Sequence, residues 1–80
     1  MSVSANVVEL DARGLEPPQP LIRILEALEA LPPDAELVAR TDRRPLHLIA
    51  MLNDRGFGGQ TNEAEEPESG YVTVIRHLDS

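Results

Sequence analysis

Two loops of the sequence carry basic side chains that are suited to holding an anion. One loop follows the apolar segment NVVEL and the other follows ELVART. A guanidinium group presents N–H donors in a planar fork that matches carboxylate and phosphate oxygens, and an imidazole can add a further donor. We therefore predict that these loops bind a small anion or a partner protein. The candidate residues are Arg13, Arg43, Arg44 and His47.

Acidic neighbours give the same loops a second interpretation. Asp11, Glu16 and Asp42 lie close in sequence to the arginines and could neutralise them. Structural ion pairs order surface loops as well as ligands do. Asp42 is also suited to cap the helix that is expected to begin near Pro45. The sequence leaves both interpretations open.

Composition excludes several kinds of catalysis. The chain has no cysteine, which removes disulfides, thiolate nucleophiles, persulfides and cysteine-ligated zinc. All of its basic residues other than histidine are arginines, so no lysine is present to form a Schiff base. His47 and His77 lie on different elements and lack metal-ligand spacing. We predict no enzymatic activity, no metal site and no cofactor.

The charge balance bears on the choice of partner. Acidic residues outnumber basic ones by 14 to 7, which gives a formal net charge of −7 and a field that repels nucleic acids and anionic lipids. No signal peptide and no apolar run of about 20 residues is visible, so we expect a cytoplasmic protein without a membrane contact. The acidic run of Glu63, Glu65, Glu66 and Glu68 lacks the spacing of a calcium loop and fits a solvated hairpin tip.

Periodicity predicts a single domain over residues 1–80 with the order β-α-β-α-β-β. A leucine stripe from Leu21 to Leu31 indicates one helix, and Leu48, Ile49 and Leu52 indicate another. Helices join the first three strands, which predicts parallel pairing among them, and the last two strands should form a hairpin. Two helices cannot cover both faces of four strands, so a two-layer sandwich with one open sheet face follows.

The last strand suggests what the open face does. Alternation from Tyr71 to Leu78 predicts that Val72, Val74 and Leu78 point toward the helices. Their neighbours then face out, where Val7 and Val38 would join them in a partly apolar surface for a protein partner or a weak homodimer. An ordinary sheet face of a monomer is the alternative. The candidate interaction residues are Tyr71, Thr73, Ile75 and His77.

The beginning of the chain resembles a known family. The segments LDARGL and PPQPL resemble the start of the TusA/SirA-like sulfur carriers, which read LDxxGLxCPxP. Proline stands where those proteins have the cysteine that carries sulfur. The pattern DRRPL at the second helix resembles a branch without that cysteine, domain of unknown function 2249. The motif residues are Asp11, Gly14, Pro17, Pro18 and Pro20.

The resemblance implies an α+β fold. It implies a mixed four-stranded sheet in the order 1-2-4-3, with two helices on one face, similar to the C-terminal domain of translation initiation factor three. It implies no established activity. From the residues and the resemblance together, we predict a small non-catalytic binding or regulatory module. The alternatives are a sulfur-relay related protein that lacks the persulfide cysteine, and an RNA-binding protein suggested by fold analogy alone.

Overall fold

The predicted order of elements is confirmed. A computed structural model of the protein describes residues 6–45, 47–64 and 70–78. The predicted hairpin tip at Glu65, Glu66 and Glu68 lies outside the described residues. The elements are β1 (Asn6–Asp11), α1 (Gln19–Glu29), β2 (Ala35–Thr41), α2 (Leu48–Asp54), β3 (Phe57–Glu63) and β4 (Tyr71–His77).

The four strands form one mixed sheet in the order β1-β2-β4-β3. β1 pairs with β2 in parallel, and β4 is antiparallel to both of its neighbours. The order expected from the resemblance is therefore confirmed. The expectation that the first three strands pair with one another is wrong for β3, because β4 lies between β2 and β3.

Both helices pack on one face of the sheet. Alternate residues of β2 are buried beneath them, among them Leu37 and Ala39. α1 contributes the predicted stripe through Ile24 and Leu28, which lie in the same core. This burial of aliphatic side chains is the main driving force for folding in a chain with so few aromatic residues.

α2 approaches the sheet closely at Gly59. A Cβ atom at this position would lie 2.8 Å from Leu52 Cδ1 and 3.3 Å from Ile49 Cδ1. The absence of a side chain at Gly59 therefore lets α2 lie directly on β3. Gly59 weakens the strand propensity of β3, but it serves this contact.

The predicted orientation of β4 is wrong. Thr73 and Ile75 are completely buried beneath the helices, so they cannot belong to an exposed interaction face. Alternation along the strand places Tyr71 and His77 on this same helix-facing side. Val72 and Val74, which were expected to point inward, lie on the open face instead.

Two hydrogen bonds explain the reversal. The hydroxyl oxygens of Thr73 and Thr61 lie 2.8 Å apart across the β3–β4 pair, which satisfies both groups inside the protein. His77 Nε2 lies 3.0 Å from the carbonyl oxygen of Leu31 at the end of α1. A carbonyl oxygen only accepts, so this ring nitrogen carries the proton and donates. Polar side chains that have such hydrogen-bond partners can lie on the buried face of a strand. The hydrophobicity pattern of the strand does not reveal those partners, because they lie on other elements.

Candidate functional site: a cleft between the two strand–helix loops

The parallel pairing of β1 and β2 brings two loops together. Because the carboxyl ends of parallel strands meet at the same edge of a sheet, the loop of residues 12–18 lies beside the loop of residues 42–47. Open α/β sheets commonly bind ligands at this edge. The parallel pairing that the sequence predicts for β1 and β2 is confirmed, and it places the two loops together.

A hydrogen bond connects these loops. The amide N–H of Gly14 donates to Asp42 Oδ2 at 2.6 Å. The expected role of Asp42 as a helix cap is wrong, because α2 begins only at Leu48, with His47 at the N-cap position and no side-chain cap. Three residues beyond Asp42, Pro45 restricts the preceding residue to extended conformations. The helix thus begins too late for Asp42 to reach it.

A cleft of about 670 Å³ opens between the two loops and the first turns of both helices. Its volume lies within the range that is typical of small-molecule sites, roughly 300 to 1,000 Å³. The wall is mostly apolar, and we call this space the loop cleft. Its apolar lining consists of Leu15, Pro17, Pro18, Pro20, Leu21, Ile24, Pro45 and Leu48.

The polar side chains of the loop cleft are divided between its two sides. Arg43, Arg44 and His47 line the side that leads into α2, and Glu16 lies on the side that leads into α1. Asp42 also lines the cleft, but its carboxylate accepts the hydrogen bond from the loop backbone. The cationic donors are therefore concentrated at one side of an apolar wall.

Local contacts hold the cationic loop. The Thr41 hydroxyl donates to the carbonyl oxygen of Arg43 at 2.8 Å, and the buried position of Thr41 fixes that bond. The guanidinium carbon of Arg44 lies 5.0 Å from the centre of the Tyr71 ring, which is within the range of a cation–π contact. The ring thus helps to position the guanidinium group of Arg44 at the cleft.

Arg13 belongs to a separate pair. Its guanidinium donates to Asp11 at 2.9 and 2.8 Å, and its amide N–H donates to the same carboxylate at 3.1 Å. These hydrogen bonds hold the pKa of the Asp11 carboxyl well below its usual range, and Asp11 raises the pKa of Arg13. The interpretation in which acidic neighbours neutralise the arginines therefore holds for Arg13. Arg13 is also not among the residues that line the cleft.

The helix N-termini offer few donors for anion binding. In α1, Gln19 donates its N–H to the carbonyl oxygen of Glu16, and Pro20 has no N–H to offer. α2 is only seven residues long, which leaves a small macrodipole. Any anion in the cleft would therefore depend on side chains.

The structure brings together three of the four predicted anion-binding residues. Arg43, Arg44 and His47 line one cleft, whereas Arg13 does not. The sequence did not predict the apolar wall, because its accessible surface comes mainly from loop prolines and from Leu15 and Leu21, whereas Ile24 and Leu48 belong to the core. The proline-rich segment EPPQP is the signal that could have indicated it, since prolines give a loop an apolar surface that lacks N–H donors.

In the part of the chain that the structure describes, no three carboxylate or imidazole side chains are grouped closely enough to hold a metal ion. None of its helices has the length and apolarity needed to cross a membrane.

The fold and the cleft define an α+β two-layer protein with a small-molecule-sized pocket at the carboxyl ends of two parallel strands. Residues 9–77 match the family described as "Uncharacterized conserved protein (DUF2249)", and the chain belongs to that family. Neither the curated proteins nor the solved structures gave a match to this chain.

Proposed function

We propose that the protein is a non-catalytic module that binds a small organic anion with an apolar body in the loop cleft. The observation that carries the proposal is the pairing of an apolar wall with cationic donors on one side. Leu15, Pro17 and Leu21 supply apolar surface, and Arg43 and Arg44 flank it. A ligand that buries hydrocarbon and presents an acid group satisfies both parts of this lining.

A purely inorganic anion fits the lining less well. Phosphate or sulfate would gain from the arginines but would leave the apolar wall hydrated. The formal charge of −7 also opposes the approach of any anion at long range. Burial of apolar ligand surface offsets that cost at roughly 25 cal/mol per Å². The apolar body is therefore a requirement of the proposal.

Action without covalent chemistry is supported by the residue content of the chain. It has no cysteine and no lysine, and proline occupies the position of the sulfur-carrying cysteine in the motif that LDARGL and PPQPL resemble. A pyrrolidine ring cannot carry a transferable sulfur atom. The relation to sulfur relay and the RNA-binding alternative remain predictions, and the geometry of the cleft favours neither.

Two fluorescent probes test the proposal. Anilinonaphthalene sulfonate is an aromatic body with an acid group, and N-phenylnaphthylamine is the same body without it. The double variant Arg43→Ala/Arg44→Ala should weaken binding of the sulfonate about tenfold, as expected for the loss of charge-assisted hydrogen bonds. Its affinity for the neutral amine should stay within about twofold, since the apolar wall is intact.

The matched control is Arg23→Ala/Arg55→Ala, which changes the net charge equally at exposed positions outside the cleft lining. If this control weakens sulfonate binding as much as the cleft variant does, the long-range field explains the effect and the site assignment is wrong. Equal loss of both probes in the cleft variant would show a damaged fold instead of a lost anion contact. Circular dichroism of each variant detects that outcome independently.

A further inference from the structure

The open face of the sheet carries a regular pattern of charged and apolar residues. On β2 this face presents Glu36, Val38 and Arg40, because Leu37 and Ala39 point into the core. On β4 it presents Val72, Val74 and Arg76, because Thr73 and Ile75 are buried. The outer strands add Val7, Glu9 and Asp11 from β1 and Gly58, Gln60 and Asn62 from β3.

The strand register arranges these residues in three rows across the sheet. The first row runs from Val7 through Glu36 and Arg76 to Gly58. The second runs from Glu9 through Val38 and Val74 to Gln60, and the third from Asp11 through Arg40 and Val72 to Asn62. We call this surface the open face.

We propose that the open face binds a second copy of this chain in a two-fold symmetric dimer. A two-fold axis parallel to the strands, between β2 and β4, places β2 of one copy opposite β4 of the other. Each residue of β2 then faces the residue of β4 that lies in the same row of the second copy, and each residue of β1 likewise faces a residue of β3. Glu36 faces Arg76 of the second copy, and Val38 faces Val74, and both contacts occur twice because of the symmetry.

The outer strands are also complementary in this arrangement. Val7, whose side chain is 53% exposed, faces Gly58 of the second copy. A hollow of about 300 Å³ lies over Gly58, bordered by Glu36, Val74 and Arg76 among others. A Cβ at Gly58 would lie 2.9 Å from Leu78 Cδ2, so the exposed side chain of Leu78 covers this glycine and Val7 meets an apolar partner at the edge of the hollow. The carboxylates of Glu9 and Asp11 meet the amides of Gln60 and Asn62, which can donate to them.

The alternative axis, perpendicular to the strands, is less favourable. It would place Glu9 directly opposite Glu9 of the second copy, and like charges across an interface are strongly unfavourable. It would also place Val7 against Asp11. This axis would pair Glu36 with Arg40 of the second copy, so both axes form ion pairs, and the repulsion at Glu9 is what favours the axis parallel to the strands.

The size of the face predicts a weak dimer. Four strands about 4.8 Å apart and about 20 Å long present a flat area on the order of 400 Å² per copy. Such an area places the contact at the small end of specific interfaces, so a dissociation constant on the order of 10⁻⁴ M is expected. The loop cleft is built from the loops and helix ends beside the helical layer, so dimerisation and ligand binding are independent of each other.

A charge-reversal experiment tests the dimer by sedimentation velocity from about 10 µM to about 1 mM. The variants Glu36→Arg and Arg76→Glu each place like charges opposite one another at both symmetric contacts. Each alone should lower the association constant about tenfold or more. In an equimolar mixture of the two variants, position 36 of one chain faces position 76 of the other. The chain that carries Glu36→Arg then presents two arginines, and the chain that carries Arg76→Glu presents two glutamates opposite them. The mixture should therefore dimerise as strongly as the wild type.

The mixture separates contacts between chains from effects within one chain. Glu36 and Arg76 are also register partners inside each copy, so either reversal could weaken the sheet itself. Mixing cannot repair that defect, because each chain keeps its own like-charged pair. A wild type that stays monomeric to about 1 mM contradicts the proposal. So does a mixture that stays monomeric, or two single variants that dimerise as the wild type does.

Discussion

The carboxylate of Asp42 accepts the amide N–H of Gly14 at 2.6 Å, and this bond joins the two loops that form the cleft. The two residues are 28 positions apart in the chain. Their contact depends on the parallel pairing of β1 and β2, which brings both loops to one edge of the sheet. The bond therefore links the topology of the sheet to the shape of the candidate site.

Replacing Asp42 should increase the mobility of the two loops of the cleft and lower the free energy of unfolding only slightly. Asp42→Ala removes the acceptor of the Gly14 N–H, and we expect a loss of about 1 kcal/mol because both residues are exposed. Amide hydrogen exchange at Gly14 should accelerate, as measured by NMR. Asp42→Asn keeps an acceptor oxygen and should exchange more slowly than the alanine variant. Equal exchange in the wild type and Asp42→Ala would show that the bond does not order the loops.

Two glycines with the same positive φ angle should respond very differently to alanine. Gly14 and Gly70 both have a φ of +82°, which costs alanine about 1–2 kcal/mol. A Cβ at Gly14 meets open space, whereas one at Gly70 would overlap the carbonyl oxygen of Thr41. Gly70→Ala should therefore lose about 1–3 kcal/mol more than Gly14→Ala in urea denaturation. Equal losses would mean that the end of the β3–β4 connection does not press against Thr41.

The Asp11–Arg13 pair predicts the direction of one pH dependence. Hydrogen bonds from Arg13 lower the pKa of Asp11 in the folded protein, so the folded state binds this proton less readily than the unfolded state does. The stabilisation is complete at neutral pH and is lost as the pH falls from about 4 through the lower pKa of the folded state. Both side chains are partly exposed, so the effect on stability should be small.

The titration of Asp11 itself is the measurement for this pair. In Arg13→Ala, the carboxyl resonance of Asp11 followed by NMR should titrate at a clearly higher pH than in the wild type. Arg23→Ala removes an arginine elsewhere on the surface and should leave the titration unchanged. An unshifted titration in Arg13→Ala would contradict the assigned cause.

His77 should stabilise the contact between β4 and the end of α1. Its Nε2 donates to the Leu31 carbonyl at 3.0 Å, and its ring centre lies 4.6 Å from that of Phe57. His77→Ala removes both contacts and should lower the free energy of unfolding by about 1–3 kcal/mol. His77→Phe keeps the ring contact and should lose less, about 1 kcal/mol. If both variants unfold as the wild type does, the inward orientation of His77 is wrong.

The elements of the fold could be predicted from the sequence because their signals are local. The leucine spacing from Leu21 to Leu31 specifies a helix with one apolar face, and the glycine at Gly56 ends the second helix. The position of β4 between β2 and β3 depends on long-range pairing. The resemblance of LDARGL and PPQPL supplied that order, and hydrophobic periodicity alone did not.

The orientation of β4 and the shape of the site could not be read from the same signals. Val72 and Val74 compete with Tyr71 and Ile75 for the buried face, and both sets are apolar. The outcome depends on the partners of Thr73 and His77, which lie on other elements. The loop cleft likewise depends on how far apart the helix ends lie on the sheet, a distance that no single segment encodes.

The position of a bound probe is a direct test of the loop cleft as the ligand site. Anilinonaphthalene sulfonate should be titrated into ¹⁵N-labelled protein, and the amide resonances followed by NMR. We expect the largest shifts at Gly14, Leu15, Arg43 and His47, which line the loop cleft, and small shifts at Val38 and Val74 on the open face. Shifts concentrated on the open face, or none at the loops, would contradict the assignment of the cleft as a binding site.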